Sequence, residues 1–346
     1  MPPVAPRPST TARPPGGGRT RLLIVALILG LSAATVYAQF RGLISIAPGG
    51  DPHDFVNRLQ VARTEGTLHG LLGDPWRYRI GSEALAWVAL KAARSAGFGE
   101  PGVVGFLSFR LLQNAAIFGL AWLLYRRLGA SRYVAAFGLA LVAWALTQSL
   151  YHSGLAFDTY GEVIVYLAAG VLILDRRYAW IVPLTIVGTI NREECGLVAL
   201  MLMAVAIPLG PRTREGRRVL LLGGAALVAW AATYGIVRLI VGPGELILPY
   251  GKHIGLEILQ FNVTHGVTWE NLFRTWTIVP LLALWQWRRW PRTLQLFGMA
   301  VVPIWVTVHF FAALVAETRL MLVPFVLVFV PGALSGLRER REAAPA

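Results

Sequence analysis

The run Leu22-Leu23-Ile24-Val25-Ala26-Leu27-Ile28-Leu29-Gly30-Leu31-Ser32-Ala33-Ala34-Thr35-Val36-Tyr37-Ala38-Gln39 decides the class of the fold. It carries no charge, and as a helix it reaches ~27 Å at ~1.5 Å per residue, close to the ~30 Å of a bilayer's hydrocarbon core. Ahead of it, residues 1–21 are rich in Pro, Gly, Ser and Thr and hold Arg7, Arg13, Arg19 and Arg21. That composition predicts a disordered basic arm on the cytoplasmic side. A signal peptide is the rival reading, with Val36-Tyr37-Ala38 as a small-residue cleavage site; either way the chain that follows is exported.

The pattern repeats along the chain. Apolar blocks recur at 103–125, 133–150, 160–174, 178–190, 195–209, 219–241, 272–287, 294–315 and 320–334. The whole is 55% hydrophobic and 14% charged, with a mean hydropathy of +0.57. A soluble chain would carry about 25% charged residues, so these blocks are membrane spans and not one large soluble core. The expected fold is an all-α polytopic membrane protein of about ten transmembrane helices, with residues 22–334 as a single membrane domain and 335–346 as a cytoplasmic tail.

Charge tests that topology. With the N-terminus inside, the inner connections are Arg126–Arg132, Asp175–Arg177, Arg212–Arg218, Arg288–Arg292 and the tail Arg338–Arg341. Together with the arm they hold 19 of the 32 Lys and Arg residues but only four of the 18 acids. The outer side receives the remaining 13 basic residues, 14 acids and all six histidines. Basic loops on one side are the signature of orientation in the cell (inner or plasma) membrane, with both termini cytoplasmic. The net charge of +14 is therefore distributed as topology signals and forms no nucleic-acid patch. Almost every group able to do acid–base work faces outward. The single cysteine, Cys195, excludes an internal disulfide.

Three segments depart from plain spans. Blocks 178–190 and 195–209 reach only ~20 Å, so the turn Asn191-Arg192-Glu193-Glu194 is expected below the outer surface, its charges paired or facing a wet cavity. In the first outer loop, 40–102, residues 51–65 read as an amphipathic helix and 82–96 as a second helix lying on the interface. The later outer loop, 242–271, carries Lys252, His253, Glu257, His265 and Glu270, and Asn262-Val263-Thr264 is a glycosylation triplet by pattern.

Four constellations could carry chemistry. In Ala47-Pro48-Gly49-Gly50-Asp51-Pro52-His53-Asp54-Phe55, Asp51 suits a helix N-cap, Pro52 the first helical position and Asp54 a capping-box-like place. The same geometry fixes a carboxylate at the membrane surface as a general base, with His53 beside it; Asp-Pro-His-Asp could also hold a divalent cation. In Asp74-Pro-Trp-Arg77-Tyr78-Arg79, two arginines and two aromatics suit either a lipid phosphate or plain interfacial anchoring. Arg192, Glu193 and Glu194 read as an internal ion pair or a substrate contact. Glu317-Thr-Arg319 forms a tight outer turn, with His309 about two turns below it and Arg110 at similar depth in another span. There is no phosphate-binding glycine loop followed by lysine, no metalloprotease His-Glu-x-x-His and no Gly-x-Ser-x-Gly elbow. No cytoplasmic segment could bind a sugar nucleotide, so a donor already in the membrane fits.

On these residues the chain resembles the C-type (GT-C) bacterial membrane glycosyltransferases. Asp51 and Asp54 occupy their first-loop acidic positions. Pro75-Trp-Arg-Tyr-Arg-Ile80 resembles a Tyr-Arg element of the same loop, Asn191-Arg-Glu-Glu194 a short Arg-Glu element before an apolar helix, and Glu317-Thr-Arg319 with the following Leu-Met-Leu-Val-Pro324 a Glu-x-Arg turn before a late helix. The resemblance implies transfer of a sugar, with inversion, from a polyprenyl-phosphate donor to an envelope glycan, lipid or protein acceptor on the outer face. It implies Asp51 or Asp54 as base, Arg79, Arg192 and Arg319 on the phosphate, and neither metal nor other cofactor. The chain departs from larger members in having no C-terminal outer domain, which leaves the acceptor open. A transporter or lipid-handling protein without transferase activity is the alternative, since ten spans and an outward polar cavity suit it as well.

Overall fold

The computed structural model describes residues 17–45, 47, 51–69, 71–149, 157–245, 248 and 251–337. Most of the basic arm, the glycines before Asp51 and the Arg338–Arg341 tail lie outside the described residues. Among the described residues no strand forms. The helices run α1 (Gly17–Ile44), α2 (Pro52–Leu68), α3 (Ile80–Ser95), α4 (Pro101–Arg127), α5 (Arg132–Gln148), α6 (Phe157–Leu174), α7 (Ile181–Asn191), α8 (Leu197–Leu209), α9 (Arg214–Val241), α10 (Leu256–Thr264), α11 (Gly266–Trp276), α12 (Val279–Trp285) and α13 (Arg292–Ala312). A last helical column, Thr318–Leu337, closes the fold.

Among the described residues six of these are long and apolar enough to cross a membrane: α1, α4, α6, α9, α13 and the last column. The chain is thus an all-helical protein with the composition of a multi-pass membrane protein. The other apolar blocks form shorter helices, for local reasons. Block 272–287 is broken at Thr277, whose φ of 51° turns the chain between α11 and α12, and Pro280 restarts the helix. Blocks 178–190 and 195–209 become α7 and α8, of 11 and 13 residues, because the polar turn between them ends both.

The last column is 83% buried and α9 only 17%, which puts the column at the centre of the bundle and α9 at its rim. The main apolar core joins the column to α4, α5, α6 and α8 through side chains such as Tyr125, Leu139, Tyr166, Met201 and Phe325. Within the column, Phe325–Phe329 winds as a π-helix, with the Val330 amide bonding the Phe325 carbonyl. In that register the Val326 carbonyl faces Pro331, which has no N–H to give. The Tyr125 hydroxyl donates to it instead, at 2.8 Å.

The two expected interfacial helices form as α2 and α3, tied to each other by Arg63–Glu83 at 3.1 Å and Arg94–Glu65 at 3.0 Å. The loop between them docks on the C-terminus of α9. Arg77 donates to the carbonyls of Val241 and Pro243, satisfying groups that the end of a helix leaves open. Within the triplet Asn262 itself is fully buried: its amide donates to the Phe310 and Ala313 carbonyls and its oxygen accepts from the Val315 amide. It is a clamp on the end of α13, not a glycan site.

Candidate functional site

The site is built from four short elements that lie far apart in sequence. Arg79 caps α3, Asp158 and Glu162 sit in the first turns of α6, Arg192–Glu194 form the turn between α7 and α8, and Glu317–Arg319 open the last column. The α7–α8 turn is held by its own backbone. Arg192 is extended and breaks α7; Trp230 and Tyr166 then donate to the carbonyls of Glu193 and Glu194 at 2.8 and 2.6 Å. Gly196 allows this approach, since a Cβ there would stand 2.7 Å from the Trp230 indole nitrogen. Asn191 ties the turn to its neighbours, accepting from the Ser82 hydroxyl and donating to the Asp158 carbonyl at 2.7 Å.

Charge fixes the side chains. Asp158, 1% exposed, faces Arg79 at 3.1 Å and both Arg192 and Arg63 at 3.7 Å. Arg192 also meets Glu194 at 2.7 Å and Glu162 at 3.2 Å. Arg79 reaches Glu193 at 2.9 Å, and Arg319 pairs with Glu317. Thr159 accepts from both Arg192 and Arg319 at 3.0 Å, so one hydroxyl joins two of the arginines. Burial and Arg192 pull the Arg79 guanidinium down, but Glu193, Glu194 and Asp158 outweigh them and hold it above its ordinary value. Burial pushes the Glu83 carboxyl up, against the opposing pull of Arg63.

One side of this network faces a cavity of about 500 Å³, with Asp158 and Glu162 behind its wall. Its wall holds Arg79, Arg192, Arg238 and Arg319 against Asp74, Glu193, Glu194 and Glu317, so its formal charges balance. Trp76 and His309 line it as well. A second cavity of about 400 Å³, mostly apolar, lies between α8, α9 and α13 and is walled by Leu197, Leu200, Leu227, Trp230, Tyr234 and Trp305. The two share Glu193, Glu194, Val308 and His309. His309 stands at this junction. Its Nδ1 donates to the Trp305 carbonyl at 2.9 Å and its ring stacks on Trp305. Its Nε2, buried and without a hydrogen-bond partner, lies 3.9 Å from Glu194. A larger depression of about 590 Å³ near the start of α9 is walled by Arg212, Arg214, Arg217 and Arg218, with no carboxylate and no buried polar group, and we read it as a solvated basic surface.

Seven of the residues singled out in the sequence therefore meet in one place: Arg79, Arg192, Glu193, Glu194, His309, Glu317 and Arg319. Five do not line it. Asp51 is the N-cap of α2 and accepts from the His53 amide at 2.9 Å. Asp54 pairs with Arg58 at 3.0 Å on an exposed face, and His53 lies 3.4 Å from Glu100 with its ring edge-on to Phe40. Arg77 serves the end of α9, and Tyr78 bonds Asp74 and packs behind the cavity wall. Sequence reading missed Asp158, Glu162, Arg63, Glu83 and Arg238. Glu162 could have been found, as an acid inside an apolar block; Asp158 lay just ahead of that block and Glu83 and Arg63 in helices read as interfacial. Among the described residues no three His, Cys, Asp or Glu side chains are grouped as a metal site needs. Comparison of the chain with protein-family models, curated proteins and solved structures gives no match.

Proposed function

We propose that this chain is a GT-C-like membrane glycosyltransferase of about ten crossings, α5, α7, α8 and the α11–α12 pair included, that moves a sugar from a polyprenyl-phosphate donor to an envelope glycan, lipid or protein acceptor. The observation that carries the reading is the convergence of three motifs, at 79, 192–194 and 317–319, on a charged cavity that shares its wall with an apolar one. That pairing of spaces suits an amphiphile with a phosphate head. Alternating guanidinium and carboxylate groups also suit the hydroxyls of a sugar, which both donate and accept.

In the reaction the acceptor oxygen bonds the sugar's anomeric carbon from the face opposite the phosphate. The bond from that carbon to the phosphate oxygen breaks, the electron pair leaves with the lipid phosphate, and the acceptor proton passes to a carboxylate. Arginines at the cavity stabilise the leaving phosphate. The base of this reading is Asp51 or Asp54, at the start of α2; neither lines the cavity, so the acceptor has to bridge from α2 to the donor.

The test is mass spectrometry of membrane lipids and envelope glycans from a deletion strain carrying wild type or Asp51→Asn plus Asp54→Asn. Asn caps a helix as well as Asp does, so α2 survives the change at residue 51. The expected result is accumulated polyprenyl-phosphate sugar and one missing glycan residue in the mutant. Equal pools in the two strains, with both proteins in the membrane, would reduce both aspartates to structural groups. Equal pools between wild type and the deletion itself would overturn the transferase reading and favour transport or lipid handling.

A further inference from the structure

Three of the four arginines on the cavity wall already have carboxylates within 3.2 Å, and the fourth does not. Arg238, in the last turn of α9, forms no ion pair with any carboxylate among the described residues. Its guanidinium carbon lies 4.3 Å from the centre of the Tyr78 ring and 4.6 Å from that of Tyr234. Its Nε is buried there without a hydrogen-bond partner. The nearest acid on the loop, Asp74, accepts from the Tyr78 hydroxyl at 3.1 Å and stays outside ion-pair distance of Arg238. Two aromatic faces hold the guanidinium by cation–π attraction, which fixes its plane without neutralising it.

The same helix supplies the apolar wall. Leu227, Trp230, Tyr234 and Arg238 follow one another at three- and four-residue steps, so they share one face of α9. The first three line the apolar cavity and the last lines the charged one. Trp230 and Tyr234 stack with ring centres 5.8 Å apart. From Trp230 to Arg238 the helix rises ~12 Å, a largely apolar track that ends in a cation with no ion-pair partner among the described residues.

We propose that Arg238 receives the anionic head group of an amphiphile whose chain lies along Leu227, Trp230 and Tyr234 between α8, α9 and α13. This rests on the reading above that the cavity takes a lipid-borne phosphate, and it assigns the primary contact to a residue outside all three motifs. Arg79, Arg192 and Arg319 already share their charge with carboxylates at ion-pair distance, whereas Arg238 among the described residues does not. The planar fork of a guanidinium matches two phosphate oxygens, and such charge-assisted bonds are the strong ones.

The experiment uses the full chain in nanodiscs of phosphatidylcholine, with tryptophan fluorescence as the signal and farnesyl phosphate, farnesol and inorganic phosphate as probes. Wild type is expected to bind farnesyl phosphate at least ~10-fold more tightly than farnesol, the scale of one or two hydrogen bonds to a charged group. Arg238→Gln should lose that preference and keep its affinity for farnesol. Inorganic phosphate should fail to displace farnesyl phosphate at concentrations that saturate with the lipid. A retained preference in Arg238→Gln overturns the assignment to Arg238 while leaving the lipid-phosphate reading in place. A wild type that does not distinguish farnesyl phosphate from farnesol overturns that reading itself. Displacement by inorganic phosphate at equal concentration overturns the apolar track. If Arg238→Gln does not insert, Arg238→Met, whose stem still fills the gap between the two rings, decides by the same criterion.

Discussion

Neutralising Asp158 tests whether the buried network holds the site together. Asp158→Asn keeps the shape and removes the charge from a carboxylate that faces three arginines at 3.1, 3.7 and 3.7 Å. At an effective dielectric near 20, a pair at the shortest of these distances attracts by about 5 kcal/mol before desolvation is charged against it. The arginines are not left bare. Arg79 keeps Glu193 at 2.9 Å, Arg192 keeps Glu194 at 2.7 Å, and Arg63 keeps Glu83 at 3.1 Å. Breaking a buried pair from one side costs about 3–5 kcal/mol, and the retained partners place this case at the lower end, about 3 kcal/mol. At ~2.1 cal/mol/K of unfolding entropy per residue, a chain of 346 residues shifts by ~1.4 °C per kcal/mol, so the unfolding midpoint should fall by about 4 °C. The assay is thermal unfolding of the detergent-solubilised chain followed by tryptophan fluorescence. Asp175→Asn is the control, because Asp175 pairs with Arg127 at a half-exposed surface, where an ion pair contributes ~1 kcal/mol or less. A midpoint for Asp158→Asn within about 2 °C of wild type, or no lower than that of Asp175→Asn, would refute the claim that the network is a structural keystone.

Two further outcomes follow from packing and charge. A Cβ at Gly161 would stand 2.5 Å from the Ser82 hydroxyl and 3.0 Å from the Asn191 amide, so Gly161→Ala should cost about 1–3 kcal/mol by prising α6 from α3 and α7; a midpoint equal to wild type would show that the contact yields freely. Burial raises the Glu83 carboxyl above its ordinary 4.5, so between that value and its raised one the folded protein holds a proton that the unfolded chain has released. Stability from this group is full below about pH 4.5 and declines as pH rises through the folded value. Glu83→Gln should flatten that part of the pH profile of the unfolding midpoint, and parallel profiles for the two proteins would contradict it.

Much of the fold was legible because apolar length is a simple signal. The blocks at 103–125, 219–241 and 294–315 became α4, α9 and α13 with small changes at the ends. The break at Thr277 was not legible, since a left-handed threonine leaves no mark in hydropathy. Neither was the π turn at 325–329, which depends on Tyr125, two hundred positions earlier. In the site, the paired charges of 192–194 and 317–319 stood out against apolar flanks. Asp158 did not, because an acid just before an apolar block reads as an outer-loop residue until Arg79 and Arg192 are seen around it. Arg238 resembled an ordinary terminal arginine on a long helix, and only the structure shows that the rings of Tyr78 and Tyr234 hold it, with no ion pair among the described residues.

The buried network also sets a timetable for assembly. A chain made from its N-terminus presents Arg63, Arg79 and Glu83 long before Asp158, and Arg319 after all of these. Arg63 and Glu83, twenty residues apart, can neutralise each other at once. Asp158, Glu162, Arg192 and Glu194 arrive within a window of under forty residues, but three carboxylates meet one guanidinium there, so α6, α7 and α8 carry a surplus of negative charge that Arg63 and Arg79 offset from outside. Arg79 has to wait for that unit, and Thr159 has to wait for Arg319. The cavity is therefore completed only once the column that forms the centre of the bundle has been inserted.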